Sequence, residues 1–312
     1  MSHAPTSLRW HALITGTLLG LVLCAVTPFH NGYLGGAPLG GGHFPMAPFF
    51  VTAWLVLLTG LLAKITGKAL FSGLELLVMW ALMTVVAGLG YAGLVETFFI
   101  NITAPSYFVK DAYRFTQELK PFLPEAWYPA DSVAVEALYK GLEGAKDQSW
   151  LEVFARIPWQ IWTPYLLLWG GFILLCYGIM LCLANLLGRQ WVDNERVNFP
   201  LAQAPKLMSE AFGDKNLGGF LTDRFLITGT CMAVFLHLFN GLNHYIPSVP
   251  ELPILILAGD FFPKYGLFSG FYKLKIYIYP AFIGFAFLAN RHISFSFWFF
   301  YLLGSLLFGL LY

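Results

Sequence analysis

Three polar side chains lie along one otherwise apolar segment near the middle of the C-terminal half. His237 and His244 are seven residues apart, and Asn240 lies between them. At 3.6 residues per helical turn, this spacing places all three on one face. Polar groups within a membrane helix usually face the interior of a bundle, and imidazole can exchange a proton. The stripe predicts either a polar pathway with a titrating pair or hydrogen bonds between helices.

Two carboxylates fall within apolar segments nearer the N terminus. Glu75 follows Ser72 by three residues, which is the spacing of a capping box at a helix start. The alternative for Glu75 is a proton or cation site open to water. Glu96 follows a glycine-rich stretch that favours close helix packing. We expect Glu96 either to act as a coupling group in an outer vestibule or to be solvated at the membrane interface.

A glycine-rich run joins the first two apolar segments, just after Asn31. Glycine adopts positive φ and allows the backbone to approach other groups closely. Irregular backbone at membrane depth is tolerated only where protein buries it or where it lines a cavity. The run therefore predicts the lining of an outer vestibule, and the alternative is a flexible loop. The candidate residues are Asn31, Gly40, Gly41, Gly42 and His43.

The composition is that of an integral membrane protein. Of the 312 residues, 58% are hydrophobic and only 11% are charged, whereas about 25% are charged in soluble domains. The mean hydropathy is +0.66. The net charge of +1 argues against nucleic acid as a partner, because nucleic-acid binding requires a basic surface.

No motif of a soluble enzyme is present. The sequence has no HExxH, no GxSxG and no phosphate-binding loop. The four cysteines lie in apolar stretches, without a CxxC pair and without histidines at metal-ligand spacing. We expect a protein that is not an enzyme, with no disulfide, no metal site and no cofactor.

The hydropathy pattern predicts an all-α, polytopic transmembrane helical bundle of about seven spans, since a span needs about 20 apolar residues. The first segment is too long for a signal-peptide core and is interpreted as a retained helix. The predicted spans are Trp10 to Thr27, Pro48 to Ala63, Leu74 to Ile100, Ile161 to Leu187, Phe225 to Leu242, Ile276 to Ala289 and Ser294 to Tyr312.

This pattern divides the chain into three parts. Residues 1–100 carry spans one to three, residues 101–160 form a small helical extracytoplasmic segment, and residues 161–312 carry spans four to seven with a cytoplasmic loop at 188–224. The distribution of Lys and Arg predicts a cytoplasmic N terminus.

The sequence also gives predictions for several shorter segments. In the extracytoplasmic segment, apolar spacing predicts helices at Ser106 to Leu119 and Asp131 to Glu143. Leu252 to Leu257 is too short to span and is either a re-entrant hairpin or a surface strand. The chain ends in an apolar run, which suggests the N-terminal portion of a larger protein or a half that pairs with a second membrane chain. The alternative is a native end anchored by Tyr312.

Several motifs together carry a family resemblance. They are Thr27 to Leu34, Pro38 to Pro45, Phe49-Phe50, Arg189 to Val192, Glu195-Arg196, Phe199 to Leu201, Tyr279 to Phe285 and Ser294 to Tyr301. With these motifs the chain resembles a bacterial family of uncharacterised membrane proteins with a DUF6785-type domain, distantly similar to the oligopeptide transporter (OPT) superfamily. Members of this family look about twice as long as the chain. The resemblance implies an inner-membrane secondary transporter that moves peptides or metal chelates with protons.

Two functions of different classes follow from these observations. The first is an OPT-like transporter that works by alternating access in the lipid bilayer on an unidentified small solute. The second is a non-transporting scaffold or subunit that docks a partner through its extracytoplasmic segment. An intramembrane enzyme would need a convergent acid, base or metal set, and the sequence offers only scattered His and Glu residues.

Overall fold

The computed structural model describes residues 8–35, 39–40, 44–91, 94–108, 122–197, 199–214 and 216–311. Within these residues the chain is overwhelmingly helical, and six helices are long and apolar enough to cross a membrane. The prediction of an all-α, polytopic membrane protein is confirmed.

The described part of the chain contains twelve α-helices and one pair of short strands. The helices are α1 Trp10–Pro28, α2 Met46–Thr66, α3 Gly73–Tyr91, α4 Leu94–Tyr107, α5 Ser132–Lys140, α6 Trp150–Arg156, α7 Trp159–Arg189, α8 Pro200–Gly213, α9 Leu217–Leu221, α10 Arg224–Tyr245, α11 Pro280–Leu288 and α12 Arg291–Leu311. Those of spanning length are α1, α2, α3, α7, α10 and α12. The strands β1 Leu255–Ile256 and β2 Ile276–Tyr277 lie between α10 and α11 and pair antiparallel. Single π-helical turns extend α1 and α7, at Phe29–Tyr33 and Gln190–Asn194.

The predicted span Ile276 to Ala289 is wrong as a continuous helix. Its first residues form β2, in register with β1, and only the nine residues of α11 are helical. Nine residues rise about 14 Å, less than half of a ~30 Å hydrocarbon core. Pro280 begins α11, as expected of a residue favoured in the first helical turn. Hydropathy alone does not distinguish a strand followed by a short helix from one longer helix.

Other predicted boundaries change in detail. The predicted third span covers both α3 and α4, and residues 92–93 between them lie outside the described residues. The predicted helix at Asp131 to Glu143 is confirmed as α5, whose first turn is capped by the Asp131 carboxylate. Most of the predicted helix Ser106 to Leu119 lies outside the described residues. Leu252 to Leu257 contains β1, which agrees with the surface-strand alternative.

The chain divides into two compact units, unit 1 with residues 1–18, 48–82 and 198–312 and unit 2 with residues 19–47 and 83–197. In unit 2, Ile102, Ala134 and Trp162 form a buried core that joins α4, α5 and α7. The Thr103 and Tyr139 hydroxyls, 2.8 Å apart, also connect α4 to α5. Part of the predicted extracytoplasmic segment is therefore an ordered helical layer.

Small residues on α1 allow close contact with α3 in each unit. In unit 1, Gly16 lies against Met79, and in unit 2, Gly20 lies against Val86. Within unit 2, Cys24, one turn after Gly20, lies against Gly90, one turn after Val86, so the two helices run in the same direction there. Small residues spaced by four are typical of close packing between membrane helices. Successive membrane spans alternate in direction, so the first and third spans of a bundle are also expected to run parallel to each other.

Candidate functional site

In unit 1, an ion pair between a buried carboxylate and a half-exposed guanidinium joins the start of α3 to the residue before α1. The Glu75 carboxylate accepts hydrogen bonds from Arg9 Nε at 2.7 Å and from Arg9 Nη2 at 2.6 Å. The backbone N–H of Arg9 donates a third at 3.1 Å. The Glu75 side chain is 1% exposed and that of Arg9 is 47% exposed. The hydrogen bond to Glu75 raises the pKa of the Arg9 guanidinium above its ordinary value.

The predicted capping box at Glu75 is confirmed by geometry. The Ser72 N–H donates to Glu75 Oε2 at 2.8 Å, and the Glu75 N–H donates to the Ser72 hydroxyl at 3.3 Å. The carboxylate therefore receives four hydrogen bonds, three of them from Arg9. This arrangement favours a structural role for Glu75 over the alternative of a proton or cation site.

Next to this ion pair, α2, α3, α8 and α9 line a partly open cavity of about 1170 Å³, which we call the α8 cavity. One face of α8 closes it, because the backbone of Ser209 lies against Gly73 at the start of α3. A Cβ at Gly73 would approach the Ser209 carbonyl oxygen to 2.4 Å. Ser209 itself is buried and donates a hydrogen bond from its hydroxyl to the Pro205 carbonyl at 2.8 Å.

The walls of the α8 cavity are mostly apolar, but its lining also includes two cations and two anions. Leu57, Leu61, Leu74, Leu77, Phe212, Leu217 and Leu221 supply much of the apolar surface. The charged groups are Lys64, Lys206, Glu210 and Asp214. Lys206 Nζ lies 3.7 Å from Glu210 Oε1, with both side chains about half exposed. A volume of this size fits a large organic molecule.

Unit 2 has polar atoms buried in two separate places, the π-helical turn after α1 at His30 and the face of α3 that meets Gly40, at Thr84, and we use the name π-turn region for these residues (His30, Gly40 and Thr84). Gly40 is buried, and a Cβ there would approach the carbonyl oxygen of Ala87 on α3 to 2.3 Å. Thr84 lies one turn before Ala87 on the same face of α3. His30 Nδ1 and Thr84 Oγ1 are buried without a hydrogen-bond partner among the described residues.

The π-turn region sharpens the prediction for the glycine run. Gly40 packs against a membrane helix and is not part of a freely solvated loop. Asn31 lies in the π-helical turn itself. Gly41, Gly42 and His43 lie outside the described residues, so their part in a vestibule stays a prediction.

The three residues of the predicted polar stripe on α10 have different surroundings, because the Asn240 amide is hydrogen-bonded to the backbone whereas both histidines are exposed. The Asn240 side chain donates to the Leu252 carbonyl and accepts from the Leu252 N–H, both at 2.9 Å. His237 and His244 are exposed, and His244 packs edge-on against the neighbouring Tyr245 ring. Asn240 therefore holds the segment that leads into β1. Glu96 lies on α4, and its role stays a prediction.

The described residues contain no group of three or more His, Cys, Asp or Glu side chains arranged to hold a metal ion. Cys24, Cys176, Cys182 and Cys231 are free thiols.

Sequence reasoning missed Arg9 and His30, which carry the two polar features. Arg9 lies 66 residues from Glu75, and nothing in the local pattern pairs them. The sequence did contain one indication that α1 packs closely on another helix, because Gly16 and Gly20 have the four-residue spacing that is typical of such packing. His30 stood within a family motif, but only the structure shows that its Nδ1 atom is buried.

Six apolar helices of spanning length, together with polar groups buried near their ends, define a multi-pass membrane protein in a lipid bilayer. Within that class, the chain belongs to the DUF6785 family, a family of unknown function whose model matches residues 2–312. No curated protein and no solved structure matches the chain.

Proposed function

We propose that this protein is an OPT-like secondary transporter that moves a small solute, such as a peptide or a metal chelate, together with protons. The observation that carries the proposal is that two polar atoms, His30 Nδ1 in the π-helical turn and Thr84 Oγ1 on α3, are each buried without a hydrogen-bond partner among the described residues. A buried polar group without a partner costs about 1–3 kcal/mol. Such a cost is understandable where a solute or a proton provides the missing partner during function.

The backbone around these atoms supports the same proposal. Helix α1 ends in a π-helical turn, a feature frequent at functional sites. The glycine run then brings its backbone against α3 at Ala87. Interrupted helices that bring backbone groups into the bundle form the binding sites of many transporters. An imidazole nitrogen in this place can accept a hydrogen bond from a solute or take up a proton.

The surrounding topology belongs to the same proposal. The Lys and Arg distribution supports a cytoplasmic N terminus, and a bacterial inner membrane is part of the proposal. Alternating access would expose the π-turn region to each side in turn, with Glu96 and the glycine run as further lining. The absence of a catalytic motif in the sequence favours transport over an enzymatic activity.

The proposal is tested by reconstituting the protein into liposomes on a solid-supported electrode. Jumps in the concentration of di- and tripeptides or of metal chelates should produce saturable, proton-dependent currents. We expect His30→Ala to reduce the current about tenfold or more, and Thr84→Val to reduce it less. His292→Ala replaces an exposed histidine on α12 that belongs to none of the candidate sites, and it serves as the matched control. A His30→Ala current equal to that of the unmodified protein would contradict the proposal.

The docking alternative is favoured by one specific observation, the exposed apolar face of α6. Trp150 is 89% exposed and Leu151 is 83% exposed. A photo-crosslinking residue at Leu151 tests it in cells. A specific protein adduct would support a docking subunit, whereas adducts with lipids alone would make α6 a membrane-surface anchor.

A further inference from the structure

We propose that the α8 cavity binds one phospholipid with a zwitterionic phosphoethanolamine head. The phosphate lies between the lysines, the ammonium faces the carboxylates, and an acyl chain follows the leucines. This proposal concerns unit 1 and does not depend on transport through the π-turn region.

The polarity of one face of α2 changes along the helix. Leu57, Leu61 and Lys64 are spaced by four and three residues and all line the cavity. The spacing places them on one face, so this wall changes from apolar to cationic toward the end of the helix. Lys64 lies in the last turn of a membrane-spanning helix, where the headgroup region is expected. Lysine at such a position reaches toward lipid phosphates.

Charges of opposite sign alternate along α8. Lys206 and Glu210 lie one turn apart on this helix, and Asp214 follows it directly. The Lys206–Glu210 pair is half exposed and 3.7 Å long, and such pairs contribute little to stability. Both groups are therefore available to a ligand. Two cations and two anions around one cavity are complementary to a head that carries both signs.

The charges that line the cavity favour one kind of lipid head over the others. A purely anionic head would satisfy the lysines but would place Glu210 and Asp214 beside negative charge. A choline head carries a cation without N–H donors. A primary ammonium donates up to three hydrogen bonds, which two carboxylates can accept. The large volume and the leucine-rich walls favour an attached acyl chain over a small free zwitterion.

Titrations of the delipidated protein by native mass spectrometry test the proposal. The probes are short-chain phosphatidylethanolamine, phosphatidylcholine, phosphatidylglycerol and free phosphoethanolamine. We expect phosphatidylethanolamine to bind at least about tenfold more tightly than the other three. Lys64→Gln and Glu210→Gln should each remove most of this preference.

Two further variants separate the cavity from general effects. Glu136→Gln alters the pair formed with Lys140, which is also an i,i+4 ion pair, at 3.5 Å, but lies on α5. We expect it to bind like the unmodified protein. Gly218→Leu adds a side chain to the cavity where a Cβ has no neighbour within 4 Å. The fold should therefore accept it while lipid binding falls at least about tenfold.

Three outcomes would overturn the proposal. One is equal affinity for the three lipids, and the second is undiminished binding to Gly218→Leu. The third is binding of free phosphoethanolamine as tight as that of the lipid, which would remove the acyl chain from the argument. Because none of these measurements involves transport, failure here is distinct from failure of the proposed function.

Discussion

The start of α3 and the start of α6 carry nearly the same four residues, Ser-Gly-Leu-Glu and Ser-Trp-Leu-Glu. Both form complete capping boxes. The Ser N–H to Glu distance is 2.8 Å at Ser72 and 2.9 Å at Ser149, and the return distances are 3.3 and 3.4 Å. Local geometry is thus alike in the two regions.

The two boxes differ in what surrounds them. Glu75 is almost wholly buried and also binds Arg9, whereas Glu152 is exposed. The position after the serine is a glycine packed on α8 in one box and the largely exposed Trp150 in the other. The comparison teaches that a capping motif specifies a helix start. Contacts distant in sequence then decide whether that start also organises a site.

The largest expected difference is between Glu75→Ala and Glu152→Ala. Removing Glu75 leaves the Arg9 guanidinium and two backbone N–H groups without their acceptor. We expect a loss of about 3 kcal/mol in the free energy of unfolding. Glu152→Ala should cost under about 0.5 kcal/mol, as is usual for exposed side chains. Denaturant titration in detergent micelles measures both, and equal losses would contradict a special role for burial.

The next largest difference is expected at the position after the serine. Gly73→Ala forces the new Cβ against the Ser209 carbonyl oxygen, so we expect a cost of about 2 kcal/mol from overpacking. Trp150→Ala removes a side chain that is 89% exposed and should leave unfolding almost unchanged. Hydrogen exchange of α8 should also rise in Gly73→Ala. An α8 that stays protected in this variant would show that its packing does not require glycine.

The smallest difference is expected between Ser72→Ala and Ser149→Ala. Each replacement removes one hydroxyl acceptor from a backbone N–H, for a cost of about 1 kcal/mol. Because this part of the box is local, the two losses should agree within about 0.5 kcal/mol. Thermal unfolding monitored by intrinsic fluorescence provides the measurement. A clearly larger loss at Ser72 would mean that the buried network strengthens the cap as well.

The fold was predictable where the signal is continuous along the chain. Long apolar runs identified the six spanning helices, because each such run must be helical to satisfy its backbone in lipid. The prediction failed at Ile276, since β2 depends on pairing with β1 twenty residues earlier. The apolar character of that stretch is the same in either conformation.

The candidate site was predictable only in part. Spacing identified the Ser72–Glu75 box and drew attention to the glycine run. It also placed Asn240 on a polar stripe, although its amide instead holds the backbone of Leu252. The α8 cavity had no signature, because it arises from segments that are distant in sequence. The burial of the His30 nitrogen, which has no hydrogen-bond partner among the described residues, is likewise visible only in the fold.

The sequence by itself determined the membrane class, the positions of the long helices and both capping boxes. These depend on hydropathy and hydrogen bonds within a few residues. Only the tertiary structure decided that Glu75 is buried beneath Arg9, that Gly73 must lack a side chain and that α8 closes a charged cavity. Those features rest on packing between residues that are far apart in sequence, such as Gly73 and Ser209, which are 136 positions apart. No short-range pattern encodes such contacts.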